Sequence, residues 1–195
     1  MLFGINCLLF DMDGTLTKPK LDFKAMKAEM DVPDGISILE YIDTVDNPVK
    51  RSELYAILDK HELDAAENTV PNSGYQKLME FLSSRDYKIG ILTRNSQKSA
   101  KITLDFLGFS ADVLISREDS PYKPKPDAVL KALKLLDASP DETLMIGDFK
   151  YDIIAGLKAG CFTCFITNNR QEYDCDNADF IIETLAELPD ILKNV

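Results

Sequence analysis

The feature that most constrains the fold is a regular alternation of short apolar runs with segments of helical spacing, which occupies the chain from Pro71 onward. A similar apolar run lies at the N-terminus. Alternation of this kind predicts an α/β, Rossmann-like fold: a mostly parallel sheet with right-handed crossovers and helices on both faces. The runs predicted as strands are 5–10, 88–93, 113–116, 143–146, 162–167 and 179–182, and the helices between them include 96–107, 126–136 and 185–192.

Residues 17–70 have a different sequence pattern. Charged residues are frequent there, and the apolar residues follow helical spacing without a strand pattern. Three short helices are predicted there, around 23–30, 36–42 and 49–64. The stretch therefore predicts a small all-helical insertion after the first strand. It divides the chain into a catalytic core of 1–16 and 71–195 and an inserted cap of 17–70.

The composition excludes several classes of partner. The 195 residues carry a net charge of −11, so the surface repels nucleic-acid backbones and anionic membranes. No stretch approaches the ~20 apolar residues that a membrane-spanning helix needs. The first residues lack the basic region of a signal peptide, so we expect a cytoplasmic protein.

The cysteines do not form a convincing zinc or redox pair. Cys161 and Cys164 have CxxC spacing, but they lie in an apolar run that reads as a strand. Residues three apart in a strand point to opposite faces of the sheet. We therefore expect buried, reduced cysteines.

Polar side chains follow four of the predicted strands, at the edge of an open α/β sheet where ligands bind. Aspartates that share this edge repel one another unless a cation neutralises them. Oxygen ligands without histidine or cysteine favour Mg²⁺ over Zn²⁺. The candidate metal ligands are Asp11, Asp13, Asp148 and Asp152, and the candidate phosphate-binding residues are Asp11, Thr93, Arg94, Asn95 and Lys123.

Several of these candidates have a second interpretation. Thr93 either binds an anion or caps the helix that begins near Ser96. The anion-binding lysine is either Lys123 or Lys125, and Arg94 either contacts the substrate or faces solvent. Asp152 is either a ligand or an early-helix carboxylate that complements the helix dipole.

The nucleophile is either a carboxylate or the Thr93 hydroxyl, because His61 lies in the insertion and supplies no Ser–His or Cys–His pair. Asp11 comes first after its strand and faces the edge of the sheet. Asp13, two residues later, is placed to protonate the leaving group and then to activate water.

Four motifs in register resemble those of the haloacid dehalogenase superfamily. The sequence FDMDGTL at 10–16 looks like its DxDGT loop, and ILT at 91–93 resembles its second motif. KPKPD at 123–127 is similar to its third motif. GDFKYD at 147–152, followed by AGLKAG at 155–160, looks like its fourth motif. Within the superfamily, the chain looks phosphoglycolate phosphatase-like, with a short helical C1 cap.

The resemblance implies a role for each matched residue. Asp11 is expected to be the nucleophile and a metal ligand, and Asp13 the general acid and base. Thr93 and Lys123 are expected to bind the phosphoryl group, and Asp148 to bind the metal with support from Asp152. The dehalogenases of the superfamily lack the second aspartate and need no metal, so Asp13 favours phosphoryl chemistry.

These observations predict a Mg²⁺-dependent phosphomonoesterase that acts on a small phosphorylated metabolite through an aspartyl-phosphate intermediate. A phosphotransferase or phosphomutase on a sugar phosphate is the main alternative, because its motifs are the same. A non-catalytic module of the same fold is a third hypothesis, and it would predict a lost nucleophile or metal ligand. We expect a monomer or a small homo-oligomer.

Overall fold

The predicted α/β, Rossmann-like fold is confirmed. The computed structural model describes residues 4–171, 175 and 177–193, so residues 1–3, 172–174, 176 and 194–195 of the predicted core lie outside the described part. Six strands in this part form one sheet of order β3-β2-β1-β4-β5-β6, and every neighbouring pair is parallel. The strands are β1 (Cys7–Phe10), β2 (Lys88–Leu92), β3 (Val113–Ile115), β4 (Thr143–Gly147), β5 (Phe162–Ile166) and β6 (Phe180–Ile182).

The central strand, β1, is buried on both faces. Cys7 and Leu9 point to one face of the sheet, and Leu8 and Phe10 point to the other. Since β2 and β4 flank β1, the residue that follows it, Asp11, emerges in the interior of the sheet's carboxyl edge.

Helices cover both faces of the sheet. The helices are α1 (Phe23–Glu29), α2 (Ile38–Asp43), α3 (Pro48–Glu67), α4 (Tyr75–Leu82), α5 (Gln97–Leu107), α6 (Asp127–Leu136), α7 (Lys150–Ala159) and α8 (Leu188–Lys193). Helices α4, α5 and α8 pack on the face that carries Leu8 and Phe10. Helices α6 and α7 pack on the opposite face.

Helices α1, α2 and α3 lie within residues 17–70, the segment predicted as an insertion, and share a hydrophobic cluster that includes Met26, Ile42 and Leu54. The two ends of the insertion lie side by side. The Lys18 amide donates to the Val70 carbonyl, and the Asn72 amide donates to the Leu16 carbonyl, each at 2.9 Å.

The structure corrects several predicted details. Helix α3 begins at Pro48 and ends at Glu67, because Asn47 caps its start and proline is tolerated in the first turn. Pro126 is the N-cap of α6 instead of its first residue. Leu130 of α6 is 49% exposed, because the buried side of the helix runs through Val129 and Leu133. The stretch 185–192 starts with a 3-10 turn, Leu185–Glu187.

The expectation that the cysteines are buried is confirmed. Cys161 and Cys164 pack on opposite faces of the sheet, and the side chains of all four cysteines are buried. Among the described residues, none of the helices combines the length and apolar character that crossing a membrane requires.

Candidate active site

All eight predicted site residues come together at the carboxyl edge of the sheet. They line a small cavity of about 110 Å³, together with Phe149 and Tyr151, which the sequence analysis missed. Asp11 follows β1, Thr93 follows β2 and Asp148 follows β4, so adjacent strands deliver these three side chains to one place.

The loop after β1 has a conformation that only glycine suits. Gly14 has a φ of +84°, and a Cβ atom there would lie 2.4 Å from a carboxylate oxygen of Asp148. The Asn72 amide group donates to the carbonyls of Gly14 and Thr15 at 2.9 and 2.8 Å. Asn168 also donates to the Gly14 carbonyl, at 2.8 Å. These bonds hold the loop that carries the first two aspartates.

Lys123 is the buried cation of the site. Its Nζ contacts Asp11 Oδ1 at 2.6 Å, Asp152 Oδ1 at 2.7 Å and the Leu92 carbonyl at 2.6 Å, and the side chain is 2% exposed. Burial lowers the Lys123 pKa, but the charges of Asp11 and Asp152 outweigh it and raise the pKa overall. Lys125 is exposed and does not line the cavity, so the geometry favours Lys123.

Three of the carboxylates lie close enough together to hold a divalent cation. Asp11, Asp148 and Asp152 each offer one oxygen, and these atoms lie within 4.8 Å of one another. Burial, followed by the charges of Asp11 and Asp152, raises the pKa of Asp148 to about 8. A donor set made only of oxygens fits Mg²⁺, which would neutralise these carboxylates.

Asp152 serves the helix as well as the site. One of its oxygens contacts Lys123, and the other accepts a hydrogen bond from the Phe149 amide at 3.1 Å, at the start of α7. Burial raises the pKa of Asp152 to about 6, and Lys123 opposes that rise. The two interpretations of this residue are therefore compatible.

Asp13 has a different partner from the other aspartates. Its Oδ2 accepts a hydrogen bond from the Asn95 side chain at 2.6 Å. Burial, together with the charge of Asp11, raises the pKa of Asp13 to about 7. A carboxyl group that titrates near neutral pH is suited to general acid and base catalysis. Asn95, predicted as a phosphate ligand, here positions Asp13.

Thr93 does not cap the following helix. Helix α5 begins after Ser96, whose side chain accepts a hydrogen bond from the Ser99 amide. The Thr93 hydroxyl instead accepts from the Asn95 amide at 3.1 Å, inside the cavity. Its hydroxyl proton remains available to an anion.

Arg94 reaches from the core to the insertion. Its guanidinium donates to both oxygens of Glu40 on α2, at 3.0 and 2.6 Å, and lies between the rings of Tyr122 and Tyr151. Arg94 is therefore engaged by a protein carboxylate and does not face solvent. Its contact with a phosphate stays a prediction.

The sequence analysis also missed a second charged group beside the site, which we call the interface ion cluster: Arg117 with Glu62 and Asp59 of α3. Arg117 follows β3 and donates to Glu62 at 2.5 and 2.7 Å and to Asp59. The Ser96 amide at the start of α5 also donates to Glu62, at 2.9 Å. No local pattern distinguishes Glu62 from the other charged residues of α3, whereas Phe149 and Tyr151 lie inside the GDFKYD motif and could have been flagged.

Fold and site together are those of an α/β enzyme with an aspartate-rich pocket at the carboxyl edge of a parallel sheet. A sequence model of the haloacid dehalogenase-like hydrolases matches residues 5–160, more than half of the chain. The chain therefore belongs to the haloacid dehalogenase-like hydrolase family, as its motifs predicted.

Individual relatives agree with this assignment. A haloacid dehalogenase-like hydrolase domain-containing protein of Arabidopsis thaliana is 33% identical, over 95% of this chain and 83% of its own length. The pyrophosphatase PpaX of Bacillus cereus is 30% identical, over 98% of both chains. The crystal structure of a hydrolase from Pseudomonas syringae has a TM-score of 0.78 at 22% identity, over 97% of this chain and 99% of that one, and so shares the fold.

Proposed function

We propose that this hydrolase is a Mg²⁺-dependent phosphomonoesterase, that its substrate is a small phosphorylated metabolite, and that Asp11 is the nucleophile. The observation that carries the proposal is the buried Lys123, which bridges Asp11 and Asp152 beside Asp148. A lysine and a divalent cation held by these carboxylates would offset the charge of an incoming phosphate, which the acidic surface otherwise repels.

In the first step, a carboxylate oxygen of Asp11 attacks phosphorus, and the bond between phosphorus and the ester oxygen breaks. Asp13 donates a proton to the leaving alcohol, and Lys123 and the Thr93 hydroxyl hold the phosphoryl oxygens. In the second step, Asp13 accepts a proton from the water that attacks phosphorus, which frees Asp11 and releases inorganic phosphate. Mg²⁺, when bound, would neutralise part of the phosphoryl charge.

We propose that residues 17–70 form a cap over this site and that 1–16 and 71–195 form the catalytic core. The separate hydrophobic cluster of the insertion and its adjacent ends support this division. Contacts between Arg94 and Glu40, between Tyr151 and Ser37, and in the interface ion cluster connect the two parts. A cap in this position excludes water from the reaction.

The cellular setting is also part of the proposal. Buried thiols such as Cys7 and Cys161 suit a reducing compartment, so we infer a cytoplasmic enzyme. It would act as a monomer or small homo-oligomer on a small-molecule substrate, without nucleic-acid or membrane partners.

The test is phosphate release from p-nitrophenyl phosphate and from a panel of small esters, with Mg²⁺ and with EDTA. The Asp11→Asn variant should lose at least ~10³-fold in kcat, since covalent catalysis has no substitute nucleophile in place. Asp86→Asn, at an exposed aspartate, is the matched control and should retain wild-type turnover. Full activity of Asp11→Asn, with deamidation excluded by mass spectrometry, would disprove the mechanism.

A phosphotransferase or phosphomutase is the alternative that the same residues permit. Hydrolysis in ¹⁸O-labelled water should place label in the released phosphate. An unlabelled, isomerised ester would instead identify a mutase. The PpaX relative adds inorganic pyrophosphate to the substrate panel.

A further inference from the structure

A second, larger cavity adjoins the carboxylate site. It has a volume of about 260 Å³ and shares Arg94, Asn95, Phe149 and Tyr151 with the smaller cavity. A group bound there would therefore be continuous with a phosphate held beside Asp11. At ~30 Å³ for each water in the liquid, the cavity has the volume of about nine waters.

The walls of this cavity are mainly apolar. The insertion contributes Leu21, Phe23, Ile38, Leu39 and Leu58, and the core contributes Phe149 and Tyr151. The two aromatic rings of the core meet edge to face, with centroids 4.9 Å apart. Phe23 is 57% exposed and Phe149 is 49% exposed, so part of the aromatic lining stays in contact with water until a ligand covers it.

Protein groups already neutralise most of the charge in the walls. Arg94 is paired with Glu40, and Glu62 is paired with Arg117. Lys27, which is partly buried on α1, is the lining cation without an ion-pair partner among the described residues. Transfer of a carboxylate or a second phosphate into such a cavity would face a desolvation cost with little compensating charge.

We propose that the leaving alcohol of the substrate is uncharged and largely apolar, with about eight to ten non-hydrogen atoms. This inference rests on the proposed phosphatase function and specifies its substrate class. An uncharged, apolar leaving alcohol distinguishes the proposed substrate from small, highly anionic substrates such as pyrophosphate or phosphoglycolate.

A series of n-alkyl phosphates tests the proposal, because the leaving-group chemistry is nearly constant while the apolar length increases. With Mg²⁺, kcat/KM should rise about threefold for each added methylene from ethyl to hexyl phosphate, since each buried methylene is favourable by ~0.8 kcal/mol at most. Hexyl phosphate should also exceed phosphoglycolate and pyrophosphate. A flat series, or a preference for either anionic substrate, would overturn the proposal.

Two variants at the rim assign the effect to this cavity. Phe23→Ser should reduce kcat/KM for hexyl phosphate by about fivefold and leave ethyl phosphate unchanged, because the exposed ring contacts only the longer chain. Lys27→Met should raise the ratio of kcat/KM for hexyl phosphate to that for ethyl phosphate, because methionine replaces an ammonium group with apolar surface in the same cavity. Lys24→Met, at an exposed lysine that does not line the cavity, is the control and should leave both esters within about twofold. Loss of turnover in Lys27→Met, with little effect of Phe23→Ser, would indicate an anionic leaving group instead.

Binding separates failure of this inference from failure of the proposed function. Alkylphosphonates have no ester bond to hydrolyse, and their affinity for the Mg²⁺-loaded protein is measurable by calorimetry. Hexylphosphonate should bind at least ~20-fold more tightly than ethylphosphonate. This result without hydrolysis of any ester would retain the substrate class and reject the phosphatase, whereas equal affinities with active hydrolysis would reject the substrate class alone.

Discussion

Two charged clusters each share a hydrogen bond with Arg94, through Lys123 in one and Arg117 in the other, and they differ in charge balance. The carboxylate cluster places Asp11, Asp13, Asp148 and Asp152 around Lys123. Arg170 approaches Asp148 at 3.5 Å from a partly exposed position. In the interface ion cluster, Arg117 shares its donors between Glu62 and Asp59, and the Ser96 amide adds another donor to Glu62.

The difference shows in the proton affinities. Burial and mutual repulsion raise the pKa of Asp13 to about 7 and that of Asp148 to about 8. Burial also raises the pKa of Glu62, but hydrogen bonds from Arg117 and Ser96 oppose it. The same carboxylates raise the pKa of Arg117 against the effect of its burial. An excess of negative charge is what a cation-binding catalytic site requires, whereas a nearly balanced cluster is suited to holding two parts of a protein together.

The largest expected effect follows from removal of the one lysine in the carboxylate cluster. Lys123→Met should lower kcat by at least ~10³-fold, because the transferring phosphoryl group loses a fixed positive charge in a buried site. Steady-state turnover with saturating Mg²⁺ measures the change.

Lys125→Met is the matched control, since its side chain is exposed two residues away. It should retain turnover within about twofold. Equal losses in the two variants would contradict the assignment of the anion site to Lys123.

Removal of the cation from the interface ion cluster should lower the free energy of unfolding more than it lowers the catalytic rate. Arg117→Met leaves Glu62, which is 2% exposed, without its charged partner. We expect the free energy of unfolding to fall by about 3 kcal/mol, as is typical when one partner of a buried ion pair is removed. Urea denaturation at pH 7.5 measures it.

The double variant Arg117→Met/Glu62→Gln sharpens the comparison. It should recover part of the loss, because no uncompensated charge remains buried. Lys98→Met, at an exposed lysine of α5, should change the unfolding free energy by less than ~0.5 kcal/mol. A double variant no more stable than Arg117→Met would show that the charge of Glu62 is not the cause.

The two clusters also differ in how far the sequence predicts them. The strand-end rule and the local motifs predicted every carboxylate of the first cluster, because each follows a short apolar run by one to a few residues. The interface ion cluster joins residues 55 positions apart, Glu62 and Arg117, and that pairing depends on how α3 lies across the start of α5. Arg94 illustrates the same limit: its position was predicted, but its partner, Glu40 on α2, was not.

The pH dependence of stability tests the excess negative charge of the carboxylate cluster. Because the folded-state pKa values of Asp148, Asp13 and Asp152 are raised to about 8, 7 and 6, their contribution to stability is fully present below the unfolded pKa near 4. It is lost as the pH rises through the folded values. In EDTA, the unfolding free energy should therefore fall by at least ~1.4 kcal/mol between pH 5 and 8, measured by urea denaturation.

Asp148→Asn should reduce the fall of the unfolding free energy between pH 5 and 8. Mg²⁺ should stabilise the wild type more at pH 8 than at pH 5, because the ion and the protons compete for the same carboxylates. Asp86→Asn should leave the slope unchanged. If the unfolding free energy of Asp148→Asn fell with pH as steeply as that of the wild type, proton uptake by Asp148 would not be the cause of the slope.

The smallest expected effect concerns His61, which the sequence analysis placed in the predicted insertion and excluded as a catalytic base. It contacts Glu29 of α1 at 2.8 Å, within the insertion, and lines neither cavity. His61→Gln keeps a hydrogen-bonding side chain at this position, so kcat/KM for the best ester should stay within about twofold between pH 6 and 8. Since Asp13 is expected to act first as an acid and then as a base, we expect a bell-shaped pH–rate profile for the wild type. His61 belongs to neither charged cluster, so the variant should show the same profile. Loss of one limb of that profile would mean that an imidazole, and not Asp13, supplies the titrating group, and the contrast drawn between the two clusters would no longer account for catalysis.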